Sequence, residues 1–142
     1  MLHLRLVTLS GTKFDDDVYE VILPTMDGQI GVLEDHMPLI SVATNGVISV
    51  RRQQHDPDRE MEHYATHGGV IEVAGNTLMV IVDEADAADE ISQAEAQAAL
   101  ERAQKIKAEA KDQVSLEHAQ TLIDRSAVRL QVAGLKRRHQ RH

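Results

Sequence analysis

Asp83-Glu84-Ala85-Asp86-Ala87-Ala88-Asp89-Glu90 divides the chain into halves with different hydrophobic periods. Upstream, glycine-punctuated Val/Ile runs such as Gly46-Val47-Ile48-Ser49-Val50 have strand length and need a partner sheet. Downstream of Ser92, apolar residues recur three and four positions apart, which places them on one face of a helix. The change of period predicts two modules: an all-β domain over residues 1–84, a linker over 85–91, an antiparallel two-helix hairpin over 92–138 and a polar tail over 139–142.

In the first module the patterning predicts strands near 2–9, 18–24, 29–33, 39–43, 46–52, 60–67, 69–74 and 77–82. Gly75-Asn76 between Val70-Ile71-Glu72-Val73 and Leu78-Met79-Val80-Ile81-Val82 is the chemistry of a tight hairpin turn. Asn45-Gly46 is a second turn, and His55-Asp56-Pro57-Asp58 reads as a polar loop. Many short strands at regular spacing fit a sandwich or a barrel. Asp15-Asp16-Asp17 reads as a solvated loop.

In the second module Ser92-Gln93-Ala94-Glu95 fits a capping box, and a helix is expected from there to about Lys111. Ser115 is placed to cap a second helix, whose Leu116, Ala119, Ile123, Ala127 and Leu130 form a stripe. That stripe is expected to pack on Ala94, Ala98, Leu100, Ala103 and Ile106. Alanine-rich faces approach closely but bury little area, so the hairpin is expected to be weakly held and able to open.

Composition narrows the function. The chain has 142 residues, no cysteine, no tryptophan and one phenylalanine. Disulfides and thiolate metal sites are therefore out of reach, and stacking of bases or sugars on aromatic platforms has little to work with. No apolar run approaches the roughly 20 residues of a membrane span, and the alternating Met1-Leu2-His3-Leu4-Arg5-Leu6-Val7 lacks the pattern of a signal peptide. Residues 1–84 hold 5 Lys/Arg against 14 Asp/Glu, a charge of −9, whereas residues 85–142 hold 10 against 9. Arg125, Arg129, Lys136, Arg137, Arg138 and Arg141 crowd the chain end, so an acidic body carries a basic tip.

No phosphate-binding glycine loop, nucleophile elbow or His-Glu-x-x-His is present, and no catalytic residue is assigned. His63 and His67 would share a helix face, but the pattern puts them on a strand, where four residues span roughly 13 Å. One metal ion with bonds of about 2 Å cannot bridge that distance, so no metal or other cofactor is expected.

Gly28-Gln29-Ile30-Gly31-Val32-Leu33-Glu34-Asp35-His36-Met37-Pro38-Leu39-Ile40, then His67-Gly68-Gly69-Val70-Ile71-Glu72-Val73, then paired Ala-rich helices, resembles the epsilon subunit of bacterial F-type ATP synthases. The likeness runs through nearly the whole chain in the right order. It implies a β-sandwich followed by an α-helical hairpin, in a non-catalytic rotor subunit of the central stalk. Such a subunit binds gamma and the membrane c ring and couples ion translocation to ATP synthesis. It sits peripherally at the cytoplasmic face of a bacterial cell membrane.

The resemblance also implies residue roles. Gly28, Gln29, Gly31, Glu34, Asp35, His36 and Pro38 form the contact loop offered to the c ring and gamma, with Glu34 standing where family members commonly have proline. Arg125, Arg129, Lys136, Arg137 and Arg138 form the basic helix that, in an extended hairpin, meets acidic segments of the catalytic alpha/beta head and inhibits ATP hydrolysis. Some members bind ATP on the hairpin through an Asp and an Arg near the start of its first helix. Here Ser92 and Glu95 occupy those positions, and a carboxylate in place of a guanidinium reverses the sign of the contact, so a tight ATP site of that type is not expected. Periodicity alone equally fits a free-standing adaptor built from the same two modules. Nucleic acid is not an expected partner.

Overall fold

The computed structural model of the chain describes residues 1–140, with side-chain detail through Leu135. Eight strands come first: β1 (Leu2–Thr8), β2 (Gly11–Val18), β3 (Glu20–Thr25), β4 (Gly28–Leu33), β5 (Leu39–Ala43), β6 (Gly46–Arg51), β7 (Glu62–Ala74) and β8 (Thr77–Ala87). A 3₁₀ turn at Ala88–Glu90 leads to α1 (Gln93–Glu109) and α2 (Gln113–Gln140). The hydrogen-bonded path runs β2-β1-β8-β7-β5-β3-β4, with β6 joining β3 to β7. The β1–β8 pairing is parallel.

One long strand makes the sheet fold over on itself. The N-terminal part of β7 pairs with β6 (Val47 opposite Ala65) and its C-terminal part pairs with β5 (Val42 opposite Val70). The change falls at Gly68-Gly69, where both residues have positive φ (57° and 151°). A Cβ on Gly69 would lie 2.1 Å from the Ile81 carbonyl oxygen and 2.8 Å from the Val82 Cα, so only glycine lets β7 lie against β8 there. The two strands expected at 60–67 and 69–74 are thus one bent strand.

Alternation decides the interior. Along β1, Leu2, Leu4 and Leu6 are fully buried while His3, Arg5 and Val7 face out. They meet Val21, Leu23, Ile48, Val50, Ile71 and Val80 in an aliphatic core. Each such side chain contributes roughly 1.5–3 kcal/mol relative to exposure. The core's aromatic pair, Phe14 and Tyr64, meets edge to face with centroids 6.5 Å apart.

Three boundaries differ from the sequence reading. Asp15-Asp16-Asp17 lies in strand β2, not a loop: β2 is an edge strand whose inward residues are Phe14 and Val18, and charge on an edge discourages further pairing. The linker expected at 85–91 is largely structured, because β8 runs to Ala87 by pairing Ala85, Asp86 and Ala87 with Thr66, Ala65 and Tyr64 of β7. Of the expected tail, His139 and Gln140 continue α2, while residues 141–142 lie outside the described residues.

The helices start as their caps dictate. Ser92 Oγ accepts from the Glu95 amide at 3.2 Å. At α2 the cap is Asp112, whose Oδ1 accepts from the Ser115 amide at 2.7 Å; Ser115 itself lies inside the helix. The packed residues are Ala96 and Ala103 on α1 and Ala119, Ser126 and Val132 on α2. Ala119 and Ala103 of the expected stripes hold, but Ala94 and Ala127 are exposed. Leu116 and Ile106 are also left open at 37% and 44% exposure. Small residues seven apart dominate the seam because only they allow close approach over two turns.

Candidate partner-binding surfaces

The hairpin lies against the sandwich. Val132 of α2 packs with Ala65 of β7, Ile91 and Ala96, and Val47 and Val128 border this cluster. Beside it, outward residues of β8 meet α2: Arg125 Nη2 is 2.6 Å from Glu84 Oε1, and Arg129 Nη1 donates to Asp86 Oδ2. These side chains are 27–42% exposed, so the pairs are partly shielded from water. The contact also buries two nitrogens without hydrogen-bond partners among the described residues, His67 Nδ1 and Arg125 Nε. At the seam, Lys13 Nζ lies 2.7 Å from both Glu90 carboxylate oxygens. That contact, with the Ala87 amide, holds the Glu90 carboxyl below its ordinary pKa.

A cleft of about 600 Å³ opens between α1, α2 and β8, with Glu84, Glu95, Arg102, Arg125 and Arg129 on its walls. Glu95 stands on this wall, so two carboxylates share the cleft with the arginines. Lys136, Arg137 and Arg138 fall on the last turns of α2.

The segment from Gly28 to Pro38 is not one loop. Gly28, Gln29 and Gly31 belong to β4, the second strand of a hairpin with β3 in which Gln29 pairs with Pro24 and Gly31 with Ile22. Gly28 sits at φ +109° after the turn, and its carbonyl accepts from Thr25 Oγ1 at 2.6 Å. Glu34, Asp35, His36 and Pro38 follow at the opposite end of the strand, about 17 Å away for its six residues. There the N-terminal ammonium of Met1 pairs with Glu34 at 3.1 Å, and Asp35 (φ +64°) takes two hydrogen bonds with Asn76: its amide donates to Oδ1 at 2.6 Å and its Oδ1 accepts from Nδ2 at 3.2 Å. The β7–β8 turn at Gly75-Asn76, with φ +56° and +63°, thereby pins this loop. His36 is held by its amide to the Leu33 carbonyl.

A surface absent from the sequence reading appears on the sheet half that the hairpin leaves open. Val42, Val70, Ile81 and Val7 are successive cross-strand partners over β5, β7, β8 and β1. The first three are 49–52% exposed, and Ile40, two residues along β5, is 77% exposed. Strand alternation puts all of them on the outer face. Their signal in the sequence was an apolar residue at both parities of each strand, which a doubly covered sheet produces and a half-solvated one does not.

His63 and His67 lie on β7, His63 Nδ1 at 2.8 Å from Ser49 Oγ and His67 opposite Glu84. Among the described residues no group of three or more His, Cys, Asp or Glu is placed to hold a metal ion.

A sandwich with one apolar face open, carrying a helical hairpin docked by ion pairs on another, is the build of a subunit that works by binding other chains. Residues 1–88 match the family described as the ATP synthase Delta/Epsilon chain beta-sandwich domain. The chain is 37% identical over 133 residues to the ATP synthase epsilon chain of Gloeobacter violaceus, covering 94% of this chain and 97% of that one. It is 34% identical over 137 residues to the epsilon chain of a Sulfurihydrogenibium species, covering 96% and 99%. The chain belongs to the ATP synthase epsilon chain family.

In fold it is similar to a chain of the Euglena gracilis mitochondrial ATP synthase OSCP/F1/c-ring assembly, with a TM-score of 0.79 at 19% identity, covering 93% of this chain and 80% of that one. A chain of the Tetrahymena thermophila mitochondrial ATP synthase central stalk and c ring gives 0.60 at 13% identity, covering 93% and 96%. As an epsilon chain it is a non-catalytic subunit of the rotary central stalk and serves ATP synthesis; the free-standing adaptor reading falls away. It is peripheral to the membrane, and no helix among the described residues is long and apolar enough to cross one.

Proposed function

We propose that this chain links gamma to the c ring at the cytoplasmic face of a bacterial membrane and that its hairpin, when extended, inhibits ATP hydrolysis. The exposed row Val42–Val70–Ile81 carries the reading, because a contiguous apolar strip on a solvated sheet face marks a binding surface. Gamma occupies that strip. The two ends of β4, Gly28, Gln29 and Gly31 at one and Glu34, Asp35, His36 and Pro38 at the other, supply the rim that meets the c ring and gamma. Arg125, Arg129, Lys136, Arg137 and Arg138 meet acidic segments of the catalytic alpha/beta head. Glu84 and Glu95 on the cleft wall argue against a tight ATP site in the hairpin.

Two experiments test this. Affinity capture of the full chain from its native membranes, with bound proteins identified by mass, should recover gamma, the catalytic subunits and the c ring; a chain recovered alone would overturn the stalk assignment. Ending the chain after Glu90, which keeps β8 and the Lys13–Glu90 contact, should leave assembly intact and raise ATP hydrolysis. Unchanged hydrolysis would remove the inhibitory role.

A further inference from the structure

Among the described residues only two non-glycine positions have positive φ, Asp35 at 64° and Asn76 at 63°. They lie 41 positions apart and are hydrogen-bonded to each other: the Asp35 amide donates to Asn76 Oδ1 at 2.6 Å, and Asn76 Nδ2 donates to Asp35 Oδ1 at 3.2 Å. A residue with a Cβ takes this conformation at a cost in free energy. At Asp35 the conformation has a local cause. The His36 amide closes a turn on the Leu33 carbonyl at 3.2 Å, and the third position of such a turn, when φ is positive there, ordinarily holds glycine or asparagine. The Asn76 carboxamide compensates an aspartate at that position.

Asn76 is itself firmly attached. It lies in the β7–β8 turn, its carbonyl accepts from the His3 amide of β1 at 2.9 Å, and the two strands it joins carry Val70 and Ile81. Its carboxamide therefore ties a loop with an exposed Met37 to the hairpin that bears the apolar row. The other tie on this loop, Glu34 to the Met1 ammonium, is open to solvent on both sides and contributes little.

We propose, on the reading above that gamma occupies the apolar row, that Asn76 is a positioning residue of the partner-binding surface. It locks the loop of residues 34–38 to the β7–β8 hairpin, so that loop and row meet gamma as one preformed surface. A loop ordered before association costs less to bind, so two hydrogen bonds that touch no partner raise the affinity for one.

Asn76→Gly removes the carboxamide and leaves a residue that adopts φ +63° freely. In the full chain the Asp35 amide should exchange with solvent at least ten-fold faster, and gamma affinity should fall roughly ten-fold in a titration of the purified subunits, while the melting temperature stays within about 3 °C. Asn76→Asp sets two carboxylates against each other and should weaken binding likewise. Combined with Asp35→Asn, which returns a donor to the pair, it should recover binding to within about three-fold of the parent. Should Asn76→Gly lower the melting temperature, this exchanged pair decides in its place. Unchanged exchange, faster exchange with unchanged gamma affinity, or an exchanged pair that fails to rescue would each overturn the positioning role. Val70→Asp separates that role from the reading beneath it: if Val70→Asp weakens gamma binding and Asn76→Gly does not, the positioning role alone falls, and if neither does, both fall.

Discussion

Arg129 on α2 is ion-paired with Asp86 on β8, across 43 positions of sequence. Asp86 belongs to the acidic stretch that separates the two modules. Because β8 continues through that stretch to Ala87, Glu84 and Asp86 face the hairpin and are partly shielded from water. The acidity of the seam is thus part of the contact between the modules.

Gly69 sets the bend of β7. Gly69→Ala must push its methyl into the Ile81 carbonyl oxygen and take up a φ of +151° that L side chains rarely adopt. Strain of this kind, with backbone displaced, should destabilise the sandwich by about 2–4 kcal/mol in chemical denaturation. Gly31→Ala, whose Cβ meets nothing within 4 Å, should be tolerated.

The caps distinguish Asp112 from Ser115. Asp112→Ala should fray the first turn of α2, read as faster amide exchange at residues 113–116, and by more than Ser115→Ala, which removes only the hydroxyl's contact with Asp112 and keeps the amide's. The Ser115 amide holds the Asp112 carboxyl below its ordinary pKa, so this stabilisation is present above the unfolded value and is lost as pH falls through the folded one. Ser92→Ala should weaken α1 by about 1 kcal/mol.

His3 should make stability fall with rising pH. Both ring nitrogens contact carboxylates, Nδ1 to Asp17 at 2.8 Å and Nε2 to Asp15 at 2.5 Å, and these hydrogen bonds, Asp17 first, raise its pKa above 6.5. Arg5 also approaches Asp15 on this face, at 3.9 Å. A raised folded-state pKa means that the stabilisation is complete below the unfolded value and disappears as pH rises through the folded one. The melting temperature should decline across that window, and His3→Gln should remove the decline.

The open apolar row predicts a separation of folding from binding. Val70→Asp and Ile81→Glu change residues that are about half exposed, so stability should move by less than about 1 kcal/mol. Association with gamma should weaken at least ten-fold, about 1.4 kcal/mol, in a titration of the purified subunits. Equal affinity in both variants would place gamma elsewhere.

The local rules of the chain were legible in its residues. Period 2 before the seam and 3.6 after it, Gly75-Asn76 as a tight turn and Ser92 as a cap all rest on neighbours a few positions away, where backbone sterics and hydrogen bonding act without the rest of the fold. The likeness to the epsilon chains was legible for the same reason, as ordered short motifs. Which side of each element faces a partner was decided only by tertiary structure. Asp15-Asp16-Asp17 became an edge strand because β1 offered it a partner, and Asp86 became a strand residue because β7 runs long enough to pair with it. Arg125 and Arg129 read in the sequence as part of a basic tip, and the fold sets Glu84 and Asp86 of β8 beside them. Long-range pairing energy depends on what the folded chain brings together, and no window of neighbouring residues contains that information.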